Sequence, residues 1–213
     1  MKINQILDEY SVTDPEIIKN LKDRGYTYLK SGVDQSAFLE PGGKTVLKIF
    51  GTQDYATAPK KKTDTPVFSD DHKMFFRWAK YCNKHSNNPF LPKFSGFESF
   101  YWKGQVYLQI RQERMYPLKT MLEYMMADMA DCASIGQSFN DMMYIVNDGY
   151  YDTELRNLKH QVGMPGVKLL YKTIDKLTKI GERKGWTQDL HGGNFLSRTR
   201  DGKFPVIVDP WVT

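Results

Sequence analysis

The chain has 213 residues, 40% of them hydrophobic and 26% charged, which excludes a disordered or fibrous protein and suffices for one large domain or two small lobes. No apolar run approaches the roughly 18 residues of a membrane span, and Asp8 and Glu9 interrupt the opening stretch before a signal-peptide core can form. A soluble, unprocessed chain with no membrane partner is therefore expected. Thirty Lys and Arg against twenty-five Asp and Glu leave a net charge of +5, enough to ease approach to a polyanion but too little to name one. The two cysteines, Cys82 and Cys132, lack the grouped spacing of a zinc site, and a reducing, cytoplasmic setting is the plain reading.

In chain order, the stretch to residue 22 reads as a helix or two. Ile3, Ile6 and Leu7 share one face, and a restart follows at Val12-Thr13-Asp14-Pro15, with Thr13 or Asp14 as cap and Pro15 in the first turn. Ile17, Ile18 and Leu21 give the apolar side, and Gly25 stops it. The period then changes to that of strands at 26–30, 36–40 and 45–50. Ser31-Gly32-Val33-Asp34-Gln35 forms the first corner and Pro41-Gly42-Gly43-Lys44 a turn. The lysine run at 60–62 sits between prolines without a hydrophobic period and reads as a solvated loop.

Phe75, Trp78, Ala79 and Cys82 fall at helical steps within 70–85, and Asn87-Asn88-Pro89 ends that helix. Strands follow at 94–102 and 105–112, turning at Lys103-Gly104. Residues 113–117 are a hinge into a helical second half. That half comprises a methionine-rich stretch over 118–146, read as adaptable core packing, and an amphipathic helix over 167–183. Beyond Gly185 the chain is loop-like, with short strands near 195–197 and 206–208.

The strongest chemical signal is D-L-H-G-G-N, with Asp189 and Asn194 five positions apart, followed by a hairpin and V-I-V-D-P-W, which ends an apolar run on Asp209. That order sets three oxygen-bearing side chains at one mouth. Hard cations such as Mg²⁺ take oxygen ligands and bring substrate phosphates with them. An acid that accepts a hydroxyl proton, beside an amide and an acid that hold metal, is the working set for phosphoryl transfer.

These two strings resemble the catalytic loop and metal-binding aspartate of the protein-kinase-like superfamily. They look closest to the compact kinases of tailed bacteriophages and to the aminoglycoside and choline phosphotransferases, which also carry histidine two residues after the catalytic acid. The resemblance spans the chain from about residue 26 onward. It implies Asp189 as catalytic base, Asn194 as a metal ligand and Asp209 as the principal metal ligand. His191 would orient the loop or bind phosphate.

Upstream residues fall in the matching order. Lys48 lies in the apolar strand Val46-Leu47-Lys48-Ile49-Phe50, where a buried ammonium needs an anionic partner; in kinase-like proteins the third-strand lysine holds the α- and β-phosphates. The corner holding Gly32, Gln35 and Ser36 takes the place of the phosphate-covering loop, with one glycine where the usual form has three. The hinge Gln112-Glu113-Arg114-Met115 would present backbone groups to adenine, with Met115 or Ile110 beside the base. ATP and Mg²⁺ are thus the implied cofactors.

Three departures stand out. No glutamate occurs between Glu40 and Glu98 to pair with Lys48, leaving Asp70 or Asp71 as shorter-armed substitutes. Thr187 replaces the histidine expected two positions before the catalytic acid. The sequence runs only four residues past Asp209, so no activation segment and no regulation through one are expected.

The expected architecture is α+β: a minimal bilobal kinase-like fold, with an N-terminal helical extension (1–25), an antiparallel-sheet N-lobe (26–112) and a truncated helical C-lobe (113–213). The expected function is ATP- and Mg²⁺-dependent phosphotransfer, of the phage type acting on serine or threonine of host proteins in the bacterial cytoplasm. A small-molecule kinase and a kinase-like protein that inhibits a host partner without turnover remain as alternatives. A nucleic-acid binder rests only on charge and the lysine run, and a truncated core exposing apolar area allows a homodimer.

Overall fold

The computed structural model describes residues 13–31, 35–51, 70–147 and 149–212. Expectations about 1–12, the corner glycine Gly32 and the lysine run at 60–62 fall outside these residues. The chain is a mixed α+β protein that divides into two compact units, one of residues 1–83 with 93–114 and the other of 84–92 with 115–213.

The first unit is built on a five-stranded antiparallel sheet of β1 (Thr27–Ser31), β2 (Gln35–Leu39), β3 (Thr45–Phe50), β4 (Phe94–Trp102) and β5 (Gln105–Glu113), in the order β1-β2-β3-β5-β4. Residues directly opposite one another point to the same face. The pairings Ala37↔Lys48↔Ile110 and Gln35↔Phe50↔Leu108 therefore define one face, and Phe38↔Leu47↔Arg111 and Ser36↔Ile49↔Gln109 the other.

Helix α1 (Pro15–Asp23) covers the second face. Pro15 opens it, and the Asp14 carboxylate caps it by accepting from the Glu16 N–H at 2.8 Å. Its Ile17, Ile18 and Leu21 are buried with Phe38, Leu47, Ile49 and Tyr107. Lys103, at the β4–β5 turn, meets Glu16 at 2.7 Å and ties the helix to that hairpin. Helix α2 (Asp70–Lys84) packs on the first face through aromatic contacts, Phe75 lying 5.0 Å from Phe50 and 5.7 Å from Phe94 between ring centroids.

The second unit is mainly helical: α3 (Thr120–Ser134), α4 (Phe139–Val146) and α5 (Asp152–Lys184). The methionine-rich stretch expected as one helix is two. Gly136 adopts φ +73, and Ser138 and Asp141 then form a reciprocal capping box that starts α4. Met125, Met126, Met129 and Met142 are fully buried, so the thioethers are core packing. Helix α5 begins fifteen residues before the expected 167; it is broken at Gly163 (φ 66, ψ 169), a conformation that suits glycine, two residues before Pro165.

Three short ladders complete this unit. Strand β6 (Tyr116–Pro117) pairs with β8 (Phe195–Ser197), β8 with β9 (Pro205–Ile207), and β7 (Thr187–Gln188) with β10 (Trp211–Val212). The β7–β10 ladder replaces the loop expected directly after Gly185.

Candidate functional site

The D-x-x-x-x-N loop is held between two antiparallel ladders. Before it, β7 pairs with β10 through Gln188↔Trp211; after it, β8 pairs with β9 through Phe195↔Ile207. Two further backbone bonds close the frame: the Asp189 N–H donates to the Pro210 carbonyl at 2.9 Å, and the Val208 N–H donates to the Asn194 carbonyl at 2.9 Å. The residues on either side of Asp209 are thus bonded to the two ends of the loop. Leu190 and Phe195, 6% and 1% exposed, anchor the loop in the core.

Inside the frame the polar side chains bond to one another. The Asn194 amide donates to the Asp189 backbone carbonyl at 2.5 Å and to its carboxylate Oδ2 at 2.7 Å. With its N–H groups so directed, Asn194 retains Oδ1, a hard carbonyl oxygen, as the atom with which to meet a cation. The 3₁₀ turn Gly192–Asn194 is closed by the Asn194 N–H donating to the His191 carbonyl at 3.0 Å.

His191 is exposed, and its ring is oriented from below. The Gly193 N–H donates to Nδ1 at 3.1 Å, so the neutral imidazole carries its proton on Nε2, which lies 3.4 Å from Asp189 Oδ1. A side chain at 193 would press its Cβ to 3.0 Å from the His191 ring.

The oxygens of Asn194 and Asp209, one amide and one carboxylate, are of the kind Mg²⁺ takes, water and substrate phosphates usually completing its shell. Among the described residues no three His, Cys, Asp or Glu side chains group into a metal-binding cluster; an amide-and-acid pair is not a group of that kind.

In the first unit, Lys48 is half-buried on the face covered by α2, its Nζ 4.6 Å from the centroid of the Phe75 ring. The sequence reading anticipated an anion there and did not foresee the ring. Phe75 carried only a helical-spacing signal, which says core. Asp70 is not the substitute acid: it is exposed and bonds Lys73 at 2.8 Å one turn along its own helix, which holds its carboxyl below the usual range. Asp71 belongs to the same helix, and its side chain is outside the described residues.

Of the phosphate-corner residues, Gln35 stands on the Lys48 face with a buried Oε1 that has no hydrogen-bond partner among the described residues. Ser36 is fully buried on the opposite face, in a strand paired on both sides. The expected hinge amides are partly spent. Glu113 N–H donates to the Lys93 carbonyl at 3.0 Å and Arg114 N–H to the Lys44 carbonyl at 2.9 Å. The Glu113 carboxylate in turn accepts from the Lys93 N–H at 2.9 Å. Met115 precedes β6 and is half-buried; among the described residues its N–H has no backbone acceptor.

No protein-family model matches this chain, and no curated protein or solved structure matches it.

Proposed function

We propose that the chain is an ATP- and Mg²⁺-dependent phosphotransferase of bilobal protein-kinase-like build, acting in the manner of phage kinases on serine or threonine hydroxyls of host proteins. The observation that carries the reading is the frame around Asp209, whose flanking residues are hydrogen-bonded to Asp189 and Asn194, the two ends of the D-x-x-x-x-N loop.

In this reading Asp189 accepts the proton of the acceptor hydroxyl while that oxygen bonds to the γ-phosphorus and the bond to the ADP oxygen breaks. The Asn194 amide, bonded to both the carbonyl and the carboxylate of Asp189, fixes the rotamer of the base. Asn194 Oδ1 and the Asp209 carboxylate would hold Mg²⁺, which supplies charge neutralisation at the phosphates. Lys48 supplies a compact cation for the phosphates.

A second reading keeps the chemistry and changes the acceptor to a small hydroxyl compound. The placement of His191 Nε2 against Asp189 favours it, since an exposed imidazole beside the base can bind a polar acceptor directly.

The test is incubation with Mg²⁺ and γ-labelled ATP, with and without bacterial lysate, beside Asp189→Ala and Asp209→Ala. Label on the protein or on discrete lysate proteins, lost in both variants, is expected. ATP consumption with aminoglycosides, choline or sugars but no labelled protein would move the acceptor to a small molecule. Turnover unchanged in Asp209→Ala overturns the assignment.

A further inference from the structure

The net charge of +5 names no partner by itself, and phosphotransfer makes no use of it. The fold gathers much of the positive charge on one face of α5. Beyond the break at Gly163, Lys168, Lys172, Lys176, Lys179 and Arg183 recur at steps of three and four residues, and all five are exposed. At 3.6 residues per turn they fall within an arc of about 80°, a straight row of cations about 22 Å long. The two acids of this stretch, Asp175 and Glu182, lie together on one flank of the row. Asp175 meets Lys179 at 2.7 Å, a surface pair of the kind that is weak in water. With Lys184 included, residues 168–184 carry six cations against two acids.

A second segment of the same unit adds to the row. The Asn88 side-chain amide donates to Thr173 Oγ1 at 2.8 Å, which lays the turn after α2 against α5. Partial burial and the charges of Lys176 and Lys84 hold the His85 imidazole below its ordinary range, as gathered cations do.

What the row lacks decides among polyanions. Protein interfaces are anchored by aromatic residues and arginine and are poor in lysine, whereas four of these five cations are lysines and no exposed aromatic side chain lies between them. A membrane-surface helix turns apolar residues outward; here Val167, Leu170, Ile174 and Leu177 are buried, and Leu169 is the one exposed large apolar residue of the stretch. Single strands and RNA loops are held by stacking on aromatic rings, which the row also lacks. Duplex DNA presents one negative charge per about 1.7 Å of axis and can be held by cations alone.

We propose that the lysine row of α5 is a sequence-independent binding surface for the phosphate backbone of duplex DNA. Ammonium groups on flexible stems reach phosphates without a fixed geometry, and phosphate contacts carry no base readout. Binding releases the counterions condensed on the duplex, so it is strong at low salt and falls steeply as salt rises. The surface stands whether or not the chain transfers phosphate.

The test uses the full chain without nucleotide and a fluorescein-labelled, mixed-sequence DNA duplex of about 20 base pairs, its anisotropy read from about 50 to 200 mM salt. Three to five phosphate contacts give an expected slope of log K against log salt of about −3 to −4.5. Lys168→Gln with Lys172→Gln, at exposed positions where glutamine suits a helix, is expected to melt as wild type. It should flatten the slope by about 2 and weaken binding at the lowest salt at least about tenfold. Lys168→Arg with Lys172→Arg keeps the charge and should bind as wild type. Lys19→Gln with Lys44→Gln removes the same charge from exposed positions of the first unit and should change the slope by less than about 0.5. No binding at the lowest salt overturns the proposal, as does a slope that the row variant leaves unchanged or that the first-unit variant flattens as much. Poly-glutamate that displaces the duplex as well as unlabelled DNA at equal charge would assign the row to an acidic protein. Anionic vesicles bound as tightly as the duplex would assign it to a membrane, and either result overturns the DNA assignment.

Discussion

Trp211 offers the sharpest test of how the second unit holds its acids. The side chain is 3% exposed, its Nε1–H donates to the Leu177 carbonyl at 2.9 Å, and its ring lies 5.2 Å from that of Trp186. It rests on α5 at Gly181, where an added Cβ would come within 3.0 Å of Trp211 Cδ1. Truncating a buried tryptophan costs about 3–5 kcal/mol. Trp211→Phe keeps most of the packing and loses the hydrogen bond, about 1 kcal/mol. In a protein of this size each kcal/mol lowers the melting temperature by about 2–4 °C, so Trp211→Ala should melt about 6–20 °C lower and Trp211→Phe about 2–4 °C lower. Thermal unfolding followed by circular dichroism reads both. Because Trp211 pairs with Gln188 in the ladder beside Asp209, turnover of Trp211→Ala should also fall well below its melting temperature. A melting temperature within about 2 °C of wild type for Trp211→Ala would refute the anchoring argument.

Gly202 sits at φ +70 with its Cβ direction 2.9 Å from the Pro117 carbonyl and 3.0 Å from the Lys119 nitrogen, both backbone; Gly202→Ala should cost at least about 2 kcal/mol. Gly42→Ala, at φ +95 with nothing within 4 Å, should cost only the backbone strain, about 1–2 kcal/mol, and equal losses in denaturant titration would refute the distinction. The Asp141 carboxyl is held below the usual range by its bonds from the Ser138 hydroxyl and N–H. A carboxyl whose folded pKa lies below its unfolded value stabilises above the unfolded value, near pH 4, and loses that contribution as pH falls. The stability gap between wild type and Asp141→Asn should therefore be constant from about pH 6 to 8 and close below about pH 3; a gap that widens on acidification would refute it. Burial pushes both thiols up, that of Cys82 strongly, and both are free. Native protein at pH 8 should resist iodoacetamide at both sites and react at both once unfolded, and rapid native labelling would contradict the burial.

The elements legible in the sequence were those with a long period or a strong local signal. Alternation marked β3 and β5, and Asp14-Pro15 marked the start of α1. The missed pieces were short or were decided at a distance. β7 and β10 are two residues each, too brief for a period of two to register, and they exist because each is the other's partner. The break at Gly136 lies inside a stretch read by its methionines as helical, and the capping box at Ser138 and Asp141 reveals it. The early start of α5 was obscured by Gly163 and Pro165, residues that ordinarily end a helix. At the candidate site, the spacing of Asp189, Asn194 and Asp209 was visible as spacing. The bonds that frame Asp209 are backbone bonds from Val208 and Asp189, and backbone carries no sequence signature. The face that the Ser36 side chain occupies was not legible, because strand parity, fixed by its partners Ser31 and Ile49, decides it.

A common logic runs through both units: apolar and backbone contacts help to hold the polar residues in place. Asp209 is framed by backbone bonds from its neighbours, with Trp211 as the nearest anchor. Asp189 is steered by an amide, which donates hydrogen bonds and adds no opposing charge. Lys48 rests against a ring. Within the loop, the exposed His191 ring sets its Nε2 3.4 Å from Asp189 Oδ1. His191→Gln keeps a donor near Asp189 and should therefore retain more turnover than His191→Ala, with both variants folding as wild type. Equal loss in the two would mean that the ring acts on the acceptor and not through the base, which is the outcome the small-molecule reading requires.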